Sequence, residues 1–146
     1  MAATLGCRRL LLDTNVVIGA LLWSGPPLAL MEQAVEEEIE LVSSPVLMAE
    51  LRHTLNYPKF VKRLATLQTD VPTLMRSYAA IVTLVKPTDV PRVVPGDPDD
   101  DHVIAAAVAG QAQLIVTGDR HLLSLLDHCG IDIVRVGEAL ARIAHA

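Results

Sequence analysis

The stretch RRLLLDTNVVIGALLW, Arg8 to Trp23, changes character at one residue. Before Asp13 the apolar side chains run on without alternation, as in a strand covered on both faces. After it, TNVVIGALLW reads as a helix with Thr14 as its N-cap. A buried strand that passes through an acid straight into a helix is half of a βαβ unit. The remaining chain repeats the theme.

Beyond SGPP, Leu28 to Glu38 reads as a second helix and Ile39 to Ser43 as a second strand. Ser44 followed by Pro45 marks a helix start, with the proline at the first helical position. NYPKF (56–60) interrupts, and a further helix is expected across Asp70 to Thr83. Val85 to Pro95 is proline-rich and holds a short strand. A helix follows from Pro98 to Ala109, then the strand AQLIVTGD (112–119) and the short helix RHLLSLL (120–126). The strand IDIVRV and the helix GEALARIA close the chain. Strands alternating with helices predict an α/β fold, a three-layer α/β/α sandwich around a parallel sheet of about four to five strands. At 146 residues one domain, 1–146, is expected, large enough to bury a core without staples.

Composition narrows the class. Half of the residues are apolar (51%), yet the longest uncharged apolar run near the start, VVIGALLW, falls far short of the ~20 residues of a membrane span. No charged region precedes a long apolar stretch with a cleavage site, so no secretory signal is expected. Cys7 and Cys129 are the only cysteines and read as reduced thiols of a cytoplasmic protein. A net charge of −5 argues against coating duplex nucleic acid by bulk electrostatics, but not against an enzyme that acts on nucleic acid with metal ions.

The acids fall where such a fold builds sites. Open parallel sheets bind ligands at the carboxyl ends of their strands. Asp13 closes the first strand and Asp119 follows LIVTG. Glu50 lies three beyond Leu47 and four beyond Val46, on or beside the stripe Val46, Leu47, Leu51, Leu55 that should face the sheet. It either enters a site or reaches water from the flank. In DPDDDHVIAAAVA (97–109), Asp97 as N-cap, with Asp99 and Asp100 in the first turn, is explained by capping and the helix dipole. Asp101 is not. It shares a face with Ile104, Ala105 and Val108, and an acid on an inward face needs a partner. A set of carboxylates without zinc-type Cys/His spacing suits Mg²⁺ or Mn²⁺. Such ions serve phosphoryl chemistry.

Four segments together resemble the PIN-domain family: LLLDTNVVIGALL (10–22), SSPVLMAEL (43–51), DPDDDHVIAAAVA (97–109) and LIVTGDRHLL (114–123). They come in the family's order across almost the whole chain. DPDDD and NYPKF are similar to the bacterial branch described as toxin components of toxin–antitoxin systems. The resemblance implies a metal-dependent ribonuclease with an acidic quartet at Asp13, Glu50, Asp101 and Asp119. Asn15 and Thr117 match polar positions that support the site. The third acid is placed at Asp101 because the family pattern sets it just before HVIAA; Asp99 and Asp100 remain candidates to contribute. The implied reaction is hydrolysis of single-stranded RNA with Mg²⁺ or Mn²⁺, giving 5′-phosphate and 3′-hydroxyl ends. An antitoxin protein is an implied partner.

No Ser/His/Asp or Cys/His nucleophile is evident, and His53, His102 and His121 read as surface residues. Arg52, His53, Lys59, Lys62 and Arg63 form a basic stretch with Tyr57 and Phe60, either an RNA groove with stacking rings or a solvated surface. Arg120, next to Asp119, is a candidate phosphate contact. The apolar surplus points to a homodimer. The main rival is a non-catalytic PIN-like module that binds RNA or protein. Receiver and aspartyl-phosphatase folds explain Asp13 but not Glu50, and no Lys follows a strand near Asp119.

Overall fold

The computed structural model describes residues 9–90, 92 and 98–144, without the side chains of Pro98 and Asp99. The first unit is β1 (Arg9–Leu12), α1 (Thr14–Leu22) and α2 (Pro26–Val35). Next come β2 (Glu40–Ser43), α3 (Pro45–Leu55), α4 (Val61–Thr66), α5 (Val71–Ala79) and β3 (Val82–Leu84). The third part is α6 (Pro98–Ala109), β4 (Leu114–Val116), α7 (Arg120–Leu123), β5 (Asp127–His128), β6 (Ile131–Val134) and α8 (Val136–Ala144).

The sheet has the order β3-β2-β1-β4-β6-β5. Its first five members are parallel, and only β5 runs against its neighbour, β6. From β1 the chain moves outward through β2 to β3. It then crosses back and moves outward the other way from β4. The strand order therefore reverses between β1 and β4, where doubly wound sheets open a crevice at their carboxyl edge.

The unbroken apolar strands are explained by helices on both faces. Leu10, Leu12, Leu41, Leu114 and Val116 join one core, with residues of α1, α2, α5 and α8. Leu11, Ile115 and Ile133 point the other way, against Val103, Ile104 and Ala107 of α6 and Leu122 of α7. Leu10 and Leu11 are both fully buried, and each such leucine contributes roughly 1.5–3 kcal/mol of burial. Helix α3 serves both cores, through Leu47 on one side and Leu51 and Leu55 on the other.

At the amino end of the sheet, Arg9 ties three elements together. Its guanidinium donates to Glu40 at the start of β2 and to the carbonyl of Gly110 just past α6. The hairpin between β5 and β6 turns on Cys129 and Gly130, at φ 52° and 80°. Two successive left-handed residues are what a type I′ turn requires.

Several expectations need correction. Asp13, not Thr14, caps α1, with Oδ1 accepting from the Thr14 N–H at 2.8 Å. The second helix starts at Pro26, because two prolines are favourable in a first turn, and it stops at Val35. The helix expected to reach Thr83 ends at Ala79 and yields to β3, so that strand precedes Val85 instead of following it. NYPKF holds a 3-10 turn (Pro58–Phe60) that leads into α4. Val46 and Val108, both expected to face inward, are about half exposed. The expected cap Asp97 lies outside the described residues. No single described helix is long and apolar enough to cross a membrane; α1 and α2 pass such a test only as a pair, bent by 89°.

Candidate active site

The site is best built from Thr117, which is fully buried just past β4. Its backbone N–H donates to Val134 O of β6, which fixes the chain. Its hydroxyl then acts twice. It donates to Asp13 Oδ2 at 2.7 Å and accepts from the Asp119 N–H at 3.0 Å. Asp13 is itself held by the neighbouring strand β4, since its N–H donates to Val116 O at 2.9 Å. Asp119 caps α7, its Oδ1 accepting from the His121 N–H at 2.7 Å. One hydroxyl thus joins two acids from β1 and β4 across the point where the strand order reverses.

The other two acids arrive on helices. α3 begins at the carboxyl end of β2, where Ser44 caps it by accepting from the Leu47 N–H. Glu50 lies in its second turn, half-buried. α6 ends at Gly110, against Val42 and Arg9 near the amino end of the sheet. Its twelve residues rise about 18 Å, so its first turn comes back to the carboxyl rim. Asp101 in that turn is only 3% exposed, and Asp100 only 5%.

Asp100 was expected mainly as a capping acid and kept as a candidate contributor to the site, and it is nearly as buried as its neighbour. The signal was present: Asp100, Ile104 and Ala107 lie four and seven apart, on one helical face, and both apolar partners are fully buried. The Asp99 side chain lies outside the described residues. Asn15 is exposed in the first turn of α1, beside Asp13.

Three carboxylates, Asp13, Asp100 and Asp101, are buried. The donors are all hard oxygens. Among the described residues, no three Asp, Glu, His or Cys side chains are gathered closely enough to hold one ion together. Oxygen donors of this kind are the type that Mg²⁺ takes, and Mg²⁺ usually keeps several waters. Thr117 links the Asp13 carboxylate to the backbone of Asp119.

The basic stretch divides. Arg52, Lys59 and Lys62 are exposed. Arg63 is engaged in the fold: its Nε donates to Leu22 O at the end of α1, and its guanidinium lies 5.5 Å from the Trp23 ring centroid. It stands a helix length away from Asp13. Phe60 is a core residue in edge contact with Trp23, whereas Tyr57 is exposed beside His53. Arg120 is exposed next to Asp119. A cavity of about 570 Å³ between Glu37, Glu40 and Thr83 lies at the amino ends of the strands, away from these acids.

A family profile described as PIN domain matches residues 9–121. The chain belongs to the PIN-domain family. The match runs from β1 to α7 and takes in Asp13, Glu50, Asp101, Thr117 and Asp119. No curated protein matches the chain. PIN domains are in general nucleases, hydrolases that typically use divalent metals. The fold agrees, with its mostly parallel sheet between two helical layers.

Proposed function

We propose that this PIN domain is an endoribonuclease that hydrolyses single-stranded RNA with Mg²⁺ or Mn²⁺, acting in the cytoplasm as the toxin of a toxin–antitoxin pair. The observation that carries the nuclease reading is the Asp13–Thr117–Asp119 unit at the strand-order reversal, with buried Asp100 and Asp101 on the helix beside it. Asp13, Asp101 and Asp119 would hold the ion, and Glu50 would ligate a second ion or orient the attacking water. When bound, the ion makes that water a better nucleophile and offsets charge on the departing oxygen. Water oxygen bonds to phosphorus, the bond to the 3′-oxygen breaks, and that oxygen takes a proton. The products carry 5′-phosphate and 3′-hydroxyl ends. Thr117 keeps the Asp13 carboxylate in one orientation throughout. In this reading Arg120 meets a neighbouring phosphate, and the exposed Arg52, Lys59 and Lys62 meet more distant ones. The toxin role, the antitoxin and a homodimer rest on the resemblance of DPDDD and NYPKF and on the apolar surplus.

The test is direct. Single-stranded RNA is incubated with the protein and Mn²⁺, with EDTA, and with the Asp13→Asn and Asp101→Asn variants. Cleavage is expected only in the first case. Cleavage that survives EDTA or both substitutions would sink the metal-carboxylate reading. RNA binding without any cleavage would favour a non-catalytic module.

A further inference from the structure

A second cavity, of about 180 Å³, opens at the same rim as the acids. Its place follows from strand register. Leu11 pairs with Val42 and Ser43 with Leu84, so Ser44 stands level with Asp13 one strand over, and Lys86 lies just past that level two strands over. Neighbouring strands are about 4.8 Å apart, which puts Ser44 about 5 Å and Lys86 about 10 Å from the end of β1. His102, adjacent to buried Asp101, closes the cavity from α6. The cavity therefore lies at the same rim as the acidic site and differs from it in chemistry.

Two features point to an occupant. The walls are apolar and stiff: Pro45 and Val46 on one side, Pro87 and Val90 on the other. Val46 and Val90 are 49% and 41% exposed, which leaves apolar surface to be covered by a ligand. The polar groups are donors or cations. Lys86 brings an ammonium, His102 an imidazole, and the Ser44 hydroxyl, whose oxygen accepts from Leu47, keeps its hydrogen to donate. Beside acids that repel a polyanion, these groups attract one.

We propose that the cavity is a nucleotide subsite: it takes the base next to the scissile bond between its proline and valine walls, with Lys86 on that nucleotide's phosphate. Histidine is a ring on which unstacked bases rest, and recognition of single-stranded RNA depends on bases splayed into such sites. The inference rests on the ribonuclease reading and makes this pocket the source of base preference at the cleavage site.

Two measurements test it. In the first, the ¹⁵N-labelled protein is titrated with the four nucleoside 5′-monophosphates, and with ribose 5-phosphate as the baseless control. Amide shifts at Val46, Lys86 and His102 are expected for at least one nucleotide, well beyond those from ribose 5-phosphate. Val46→Trp, which fills the cavity from an exposed position, should weaken that binding at least tenfold. Lys86→Ala should erase the advantage of a nucleotide over its nucleoside. Equal shifts with the baseless control, or shifts confined to other surfaces, overturn the subsite. In the second, RNA randomised around the cut is cleaved by the wild type and by Val46→Trp. A preference that Val46→Trp flattens supports the subsite; one that it retains overturns the subsite while leaving the ribonuclease reading intact. No cleavage by the wild type overturns the ribonuclease reading, and the titration then decides whether the pocket binds nucleotides.

Discussion

Thr117 is the residue on which the site's geometry turns, since its one hydroxyl is both donor to Asp13 and acceptor from Asp119. Valine has the same shape and neither capacity. Thr117→Val should lower cleavage roughly 10–100-fold, the usual effect of removing a partner that orients a metal-binding group. Thr117→Ser keeps the hydroxyl and should restore most of the rate. The loss belongs in kcat, because the substitution leaves the surface that meets RNA unchanged. Losing the bonded hydroxyl also costs about 1–3 kcal/mol of stability, so melting curves of both variants separate positioning from unfolding. A Thr117→Val enzyme with wild-type kcat would show that Asp13 is oriented by something else. Thr117 was expected to support the site because the PIN-family resemblance implies a supporting polar residue there. The sequence could not show that its hydroxyl reaches the acid of the first strand, since that depends on β1 pairing with β4.

Helix starts offer a comparison at the next scale. Asp70 and Ser44 both cap helices from an extended backbone, and only one of them titrates. The Asp70 carboxyl is held below its ordinary value of 3.8, first by the Thr73 side chain and then by the Thr73 backbone N–H, with a smaller attraction from Arg76. A lowered folded pKa means that this contribution is complete above the unfolded value and is lost as pH falls through the folded one. Asp70→Ala should therefore melt lower than wild type at neutral pH, and the gap should close below about pH 3.8. Ser44→Ala should keep its gap over the same range. A gap at Asp70 that does not change with pH would mean that the carboxylate charge contributes nothing to the cap.

At the other end of α6, a Cβ on Gly110 would run into the Val42 side chain of β2 and crowd Ala106 O. Gly110→Ala should cost about 1–3 kcal/mol, as other overpacked cores do, and thermal melts would show it. What the sequence made legible at this scale was governed by local chemistry. Ser44–Pro45 fixed the start of α3 to the residue, and Pro98 fixed that of α6. Side-chain direction was less legible. Val46 and Val108 were counted inward because an apolar stripe was drawn too wide, and both lie at the margin of the packed face. Asp100 was read as a cap because first-turn acids are usually exposed. Helix α6 packs against β1, β2, β4 and α3, and no local pattern encodes that packing.

For the molecule as a whole, the strand order matters more than any one acid. It sets the ends of β1 and β4 side by side although Asp13 and Asp119 are 106 residues apart in sequence. The proposed ion would bind at that rim. An ion that binds only the folded state stabilises it by RT ln(1 + [L]/Kd), about 2.7 kcal/mol at a hundred times Kd. For a chain of this size that amounts to a Tm increase of roughly 5–10 °C. Mn²⁺ should raise Tm in a saturable way, EDTA should reverse the rise, and Asp13→Asn should abolish it, as should Asp119→Asn. Glu50→Gln should retain most of the increase, because Glu50 lies on α3, outside the three acids that would hold the ion. A Tm that ignores Mn²⁺ in the free protein but responds once RNA is added would place the ion's remaining ligands on the substrate phosphate, which is where a site built on a few carboxylates leaves room for them.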